Sequence, residues 1–333
     1  MSDAIRIGAI GAGGNARGHI GRLHGMDGVE VVAIVDPSEN ALEAAAGLPG
    51  IADVPTFDDH KKMLAEIETD AVMISTPHTL HFEQIMDSLD AGKHVLCEKP
   101  MVCTTDHALA VIEKYNAMGV VMLVSYQRHM TASFRYCRER IASGDLGKPI
   151  FVNSLQSQAW YNSQVGKGTW RSQMKWSGGG QLNDSGSHLI DIVLWMTDLQ
   201  PDEVFAYQDN MGSEVDILSA INVRFDGGAI CNFAVVGHQS WAGMFEETTI
   251  WLENGQLAIR GNEVWEWVGD DKDKRVISGD DLGRTWPPDE NFILAIRGEE
   301  EVQSQPEDAL KVIQLSEAAW ASADSGSPEK VKR

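Results

Sequence analysis

The chain has 333 residues, 43% hydrophobic and 23% charged, which is the composition of a globular protein too long for one ordinary core, so two domains are expected. Its net charge of −22, from 27 basic and 49 acidic residues, repels phosphate backbones and anionic lipid and argues against nucleic-acid or membrane partners. No stretch approaches the ~20 apolar residues of a membrane span, and the N-terminus lacks a basic leader region. Cys97, Cys103, Cys137 and Cys231 include no C-x-x-C pair. They read as reduced, mostly buried thiols, and the cytoplasm is the expected location.

A short apolar run from Ile5 to Ile10 leads into Gly11-x-Gly13-x-x-Ala16 and then into a stretch of helical period. In such a pattern Gly11 permits the tight turn and Gly13 lets a pyrophosphate approach the backbone. Ala16 keeps helix and strand close, and the helix N-terminus offers free N–H groups to the phosphates. A second apolar run over 29–36 ends in Asp36, 23 residues beyond Gly13, close to the ~20 of a dinucleotide site. An acid there accepts hydrogen bonds from the adenosine ribose and repels a 2′-phosphate. No arginine follows it in "DPSEN", so NAD is favoured over NADP. The plainer alternative is that Asp36 only caps the next helix.

Alternation continues: helix 40–48, strand 54–57, helix 58–67 capped by Asp58 or Asp59, strand 70–76, helix 79–92, strand 94–99, helix 105–119 and strand 120–127. This order predicts a doubly wound parallel sheet whose ligands bind at the carboxyl ends of the strands. Those ends are the glycine turn, Asp36, residues 75–78, Glu98-Lys99-Pro100 and residues 126–128. Lys99 therefore falls on the rim expected to face a cofactor.

Beyond Arg128 the texture changes. A helix is expected over 133–147, then strands over 149–159, 203–210, 215–226, 229–237, 246–253, 256–260 and 263–268, with turn signals at 226–228 and 253–255. Strands joined so closely are antiparallel. A helix over 306–323 and a charged, fraying tail complete the chain. The expected domains are 1–125 and 126–333.

Set among those strands is "WSGGGQLNDSGSHLIDIVLWMTD" (176–198), where three glycines enter a helix with Asp184, His188, Asp191 and Trp195 on one face. Such groups, if buried, need partners or a task. N-cap chemistry with one satisfied core histidine is the bland alternative. Asp184 and His188 could also be two metal ligands, but no second His or Cys cluster completes a zinc site, so no metal is expected. The loop before it, 159–176, carries Trp160, Tyr161, Trp170, Arg171 and Trp176. Aromatic faces with an arginine suit a polyol; the same tryptophans could instead belong to the core or to an oligomer interface.

Four features, "GAIGAGGNA", "STPHTLHFEQIMDSLDAGKHVLCEKPM", "WR" and "GGGQLNDSGSHLID", occur in an order that resembles the Gfo/Idh/MocA oxidoreductases. The resemblance runs from Ile7 to about Asp191. It implies an N-terminal Rossmann domain with a doubly wound parallel sheet, then a C-terminal α/β domain with an open, mostly antiparallel sheet. It also implies a nicotinamide cofactor, hydride transfer at a secondary alcohol or hemiacetal carbon of a sugar or inositol, and homodimers or homotetramers formed through the second sheet.

The family's catalytic lysine, aspartate and histidine fall on Lys99, Asp184 and His188. His188 would be the acid/base, Lys99 would hydrogen-bond the reacting oxygen, and Asp184 would bind a neighbouring hydroxyl. Candidate cofactor-binding residues are Gly11, Gly13, Asn15, Ala16, Asp36, Ser75, Thr76, Pro77, His81, Glu98, Lys99, Gln127, Trp170 and Arg171. Candidate substrate-binding residues are Lys99, Tyr161, Trp170, Arg171, Asp184 and His188. At Gln127 many members have asparagine, so the amide is kept with a longer reach. The same residues would also serve C–O cleavage by transient oxidation without net redox change. A non-catalytic sensor would not need all three catalytic groups.

Overall fold

The computed structural model of the protein describes residues 4–270 and 272–332. They divide into two compact units. The first is Met1–Val102, Asp106–Ser125 and Pro287–Pro306; the second is Cys103–Thr105, Tyr126–Trp286 and Glu307–Arg333.

The first unit alternates as its sequence pattern requires. In chain order come β1 (Ile5–Ile10), α1 (Gly14–His24), β2 (Val29–Val35), α2 (Glu39–Ala46), β3 (Thr56–Phe57), α3 (His60–Glu66), β4 (Ala71–Ile74), α4 (His81–Asp90), β5 (His94–Cys97), α5 (Thr105–Met118) and β6 (Met122–Val124). Its six strands lie in the order β3-β2-β1-β4-β5-β6, all parallel. The order reverses between β1 and β4, the switch point at which such sheets bind ligands. Continuous apolar runs such as Ala71–Ile74 are buried throughout, as strands covered on both faces must be. Asp59, not Asp58, caps α3, accepting the N–H groups of Lys61 and Lys62.

The second unit contains α6 (Ala132–Ala142), β7 (Pro149–Gln158), α7 (Met174–Ser177), α8 (Ser187–Thr197), β8 (Pro201–Asp209), β9 (Leu218–Phe225), β10 (Ile230–Val236), β11 (Met244–Leu252), β12 (Gly255–Arg260), β13 (Glu263–Val268) and β14 (Arg275–Ile277). The chain then returns to the first unit with α9 (Pro288–Ile296) and ends in the second with α10 (Pro306–Ser325) and β15 (Glu329–Lys330). Nine strands form one sheet in the order β14-β13-β12-β11-β7-β10-β9-β8-β15. Only β7 and β10 run parallel; the other neighbours are antiparallel. Strand β9 alternates buried and exposed residues, the signature of a sheet covered on one face. Helix α8 packs on β7 and α6 and is buried along its whole length.

Helices α7 and α9 and strands β14 and β15 were not expected. Helix α9 begins on the second residue of a Pro-Pro pair, and its Phe292 and Ile293 fill the core of the first unit, so the expected second domain of 126–333 gives up 287–306. Strand β14 is short. The tail expected to fray instead pairs β15 with β8, and Lys330 Nζ meets Asp202 at 2.8 Å. The helix expected over 133–147 stops at Ala142. No helix among the described residues is long and apolar enough to cross a membrane.

Candidate active site

In the first unit the glycine turn is fixed by close approach. Gly11 has φ +108°, and a Cβ there would lie 2.3 Å from the carbonyl oxygen of Ser75, so β1 and the end of β4 can meet only with glycine at this position. Gly13 is the N-cap residue of α1; that helix has no side-chain cap and no acidic residue in its first turn. A Cβ on Gly13 would meet no protein atom within 4 Å. Bare N–H groups, a positive helix end and room beside the backbone are what a pyrophosphate requires. Ala16 is fully buried. Asn15 Nδ2 reaches Ser75 Oγ at 3.4 Å.

Asp36, at the end of β2, accepts the Ala12 N–H at 2.9 Å and the Ser38 N–H at 2.9 Å. Ser38 is the residue that caps α2. Asp36 is half-buried, and each carboxylate oxygen keeps a lone pair for a ribose hydroxyl. These residues fit the adenosine and pyrophosphate of a dinucleotide.

Beyond β4 and β5 lie the other two rim segments. Ser75, Thr76 and Pro77 are half-buried, and Thr76 Oγ1 donates to Gln84 Oε1 at 2.6 Å. Lys99 is half-buried and is joined to Pro100 by a cis peptide. His81 is fully buried, its Nδ1 2.8 Å from the Pro100 carbonyl oxygen and its Nε2 3.1 Å from that of Thr76.

Glu98 accepts from His19 Nε2 at 2.9 Å, and His19 Nδ1 meets Asp289 Oδ1 at 2.6 Å. Arg22 Nε pairs with the other Asp289 oxygen at 2.6 Å. Burial alone would lower the His19 pKa, but the hydrogen bonds and charges of the two carboxylates outweigh it and raise it to about 9. Burial likewise opposes ionisation of Glu98, yet His19, Lys99 and the Ser125 hydroxyl hold it well below the usual carboxylate range.

In the second unit the last of the three glycines lies against a carboxylate that sequence reasoning missed. Asp216 accepts the N–H groups of Gly180 at 3.0 Å and Leu182 at 2.8 Å, and the Trp320 indole at 3.1 Å. A Cβ on Gly180 would stand 2.0 Å from the Asp216 carbonyl oxygen. Residues Leu182–Gly186 form a wide π-type turn before α8, and π-type turns cluster at functional sites.

The single face expected for the helix is divided among separate partners. Asp184 accepts the Trp160 indole at 2.8 Å and lies 3.3 Å from Arg171 Nε. His188 sets its ring edge-to-face on Tyr126, with centroids 5.6 Å apart. Asp191 takes His129 at 2.9 Å, deep in the unit, where burial raises its pKa against the pull of that histidine. Trp195 stacks on the same His129.

Arg171 also lies over Trp170, 4.4 Å from the ring centroid, and Tyr161 packs edge-to-face on His238. Gln127 is exposed at the start of the turn Gln127–Met130. Trp160, read from sequence only as one of several loop aromatics, is the clamp on Asp184. Neither it nor Asp216 carries a spacing that marks it. Among the described residues no group of three His, Cys, Asp or Glu is placed to hold a metal ion.

Residues 5–126 match the "Oxidoreductase family, NAD-binding Rossmann fold" of Gfo/Idh/MocA proteins, and residues 134–258 match the family's C-terminal domain. The protein is a member of the Gfo/Idh/MocA oxidoreductase family. Its first unit is thus an NAD-binding Rossmann domain. Among its relatives is 1,5-anhydro-D-fructose reductase from Ensifer adhaerens, 30% identical over 262 residues that cover 78% of this chain and 76% of that protein. Inositol 2-dehydrogenase 3 from Saccharopolyspora erythraea is 25% identical over 255 residues, 70% of this chain and 71% of that one. The fold is shared with the WlbA dehydrogenase from Bordetella pertussis, solved with NADH and UDP-GlcNAcA: TM-score 0.86, 24% identity, 100% of this chain and 99% of that one.

Proposed function

We propose that this oxidoreductase transfers hydride between NAD and a secondary alcohol or hemiacetal carbon of a sugar, sugar derivative or inositol. The observation that carries this reading is the turn at the head of α8. There Asp184 is held by Trp160 and Arg171, and His188, one helical turn on, rests against Tyr126. A fixed carboxylate beside an imidazole suits a hydroxylated ring, one group binding a hydroxyl and the other exchanging its proton. The names of the relatives, an anhydrofructose reductase and an inositol dehydrogenase, support the substrate class.

NAD, when bound, supplies the hydride acceptor. In the oxidation direction His188 takes the hydroxyl proton as the carbonyl forms. Lys99 hydrogen-bonds the same oxygen and stabilises its developing negative charge. Asp184 binds the neighbouring hydroxyl, and Trp160 and Arg171 orient that carboxylate. Asp36 binds the adenosine ribose, and the N-terminus of α1 binds the pyrophosphate. Trp170 and Tyr161 offer ring faces to the C–H surface of the substrate.

We also propose self-association through the outer face of the nine-stranded sheet. Tyr207, Phe151, Ile230 and Phe245 are exposed there, an apolar display larger than a lone surface hydrophobe. Light scattering after size exclusion tests this; a monomer at micromolar concentration rejects it.

NADH absorbance tests the main reading. Myo-inositol, glucosides, anhydrosugars and sugar acids are offered with NAD or NADP, and 1,5-anhydro-D-fructose with NADH. A rate with one class and NAD confirms the dehydrogenase. Silence across the panel, with NAD recovered from the purified protein, favours C–O cleavage by transient oxidation.

A further inference from the structure

Lys99 sits in a turn whose two neighbours are each gripped by a buried histidine from a different helix. On one side, His19 of α1 meets the Glu98 carboxylate at 2.9 Å. On the other, His81 of α4 meets the Pro100 carbonyl oxygen at 2.8 Å and that of Thr76 at 3.1 Å. Both rings are at least 98% buried (His19 2% exposed, His81 0%). His19 is not free to shift, because it is also held at its second nitrogen. His19 Nδ1 is 2.6 Å from Asp289 Oδ1, and Asp289, itself fully buried, is paired with Arg22. Burial lowers the His81 pKa, so its neutral ring has one N–H to give, and Nδ1 donates it to the Pro100 carbonyl, the nearer of the two oxygens.

We propose that His19 and His81 are positioning residues that bracket Lys99, one fixing the residue before it and the other the residue after it. The proposal deepens the reading of Lys99 as the oxygen-binding catalytic group and rests on it.

The argument is one of stiffness. A lysine has four rotatable side-chain bonds and a mobile charge, so its reach is reproducible only if its Cα is fixed. Catalysis that depends on orientation loses about 10²-fold for a displacement near 1 Å. Glu98 N–H bonds the Ile74 carbonyl at 2.9 Å, but Pro100 has no N–H to give. The histidines add a restraint on either side of Lys99 from two helices of the unit.

The charges also balance along the chain Glu98, His19, Asp289, Arg22. The two carboxylates keep His19 protonated through neutrality, which makes its bond to Glu98 charge-assisted and hence stronger than a neutral one. Asp289 arrives from α9, so a segment 190 positions beyond Lys99 in sequence helps to place it.

The test uses His19→Gln, His81→Gln and the milder Asp289→Asn, each in the wild-type chain and in Lys99→Met. Hydrogen exchange of the peptide 94–101 comes first, because it needs no substrate. Exchange at 98–101 about tenfold faster in the variants, with β1 and β2 unchanged, is the expected result. Wild-type protection there overturns the proposal.

Kinetics on a substrate from the panel are the second arm. We expect kcat to fall up to about 10²-fold, with the KM for NAD unchanged in His19→Gln and Asp289→Asn, and no further fall when the same substitutions are added to Lys99→Met. Additive losses on Lys99→Met overturn the bracket. A wild-type rate in Lys99→Met itself removes the catalytic reading of Lys99, a failure distinct from that of the bracket. Should no panel compound react, the exchange result decides alone.

Discussion

Asp36 touches the Ala12 N–H as well as that of Ser38, so two different substitutions separate its roles. Asp36→Asn keeps an oxygen for the Ala12 N–H and removes the negative charge that repels a 2′-phosphate. We expect it to bring NADP affinity toward that of NAD. Asp36→Ala also leaves the glycine turn without its acceptor and should weaken both cofactors. Fluorescence titration with NADH and NADPH reads both effects, and unchanged discrimination in Asp36→Asn would remove Asp36 from ribose selection. Lys99→Ala and His188→Ala should each lower kcat by roughly 10²–10⁴-fold, the usual worth of an acid/base or oxyanion-stabilising group, with NADH binding retained in the same titration.

At the scale of elements, the head of α8 depends on a residue far from it in sequence. Asp216 draws together Gly180, Leu182 and Trp320, and its carboxylate is difficult to replace because three donors converge on it. Burial raises its pKa, and those same hydrogen bonds oppose the rise. Asp216→Ala strands donors inside the unit at about 1–3 kcal/mol each. A clear drop in Tm and loss of turnover should follow, while the first unit still binds NADH; normal turnover in this variant would show that the α8 turn holds its shape without it. The glycine turn behaves similarly. Gly11→Ala would force a side chain into a left-handed backbone and against Ser75 O, at about 1–3 kcal/mol for the backbone alone, and NADH binding should be lost.

For the whole molecule, pH resistance has a calculable sign. His19 has a folded pKa raised from 6.5 to about 9, so its contribution is complete below pH 6.5 and is lost as pH rises through about 9. The shift corresponds to stability on the order of 3 kcal/mol. Glu98 is depressed, so its contribution is present above the ordinary carboxylate pKa and is lost as pH falls below it. Thermal melts across pH 3–10 should show both losses. His19→Gln should flatten the alkaline one; an alkaline limb identical to wild type would mean that His19 is not its source.

Much of this was legible in the sequence, and for local reasons. A strand, its turn and the next helix each announce themselves within about ten residues, through apolar period and glycine placement. The parallel sheet, the glycine turn, Asp36, the Glu98-Lys99-Pro100 rim and the Asp184–His188 helix could therefore be read from the chain alone. The partners of the charged groups could not. His19 and Asp289 are 270 positions apart, Asp184 and Trp160 are 24 apart, and no period or spacing connects either pair. Residues 288–296, where no helix was expected, were placed in the second domain because sequence order is the only guide before the chain folds. Phe292 of α9 is buried in the first core, where the chain must return to be covered. Sequence by itself determined which residues stand at the strand ends. The tertiary structure decided what holds them there, because long-range ion pairs and buried hydrogen bonds exist only once each unit has folded.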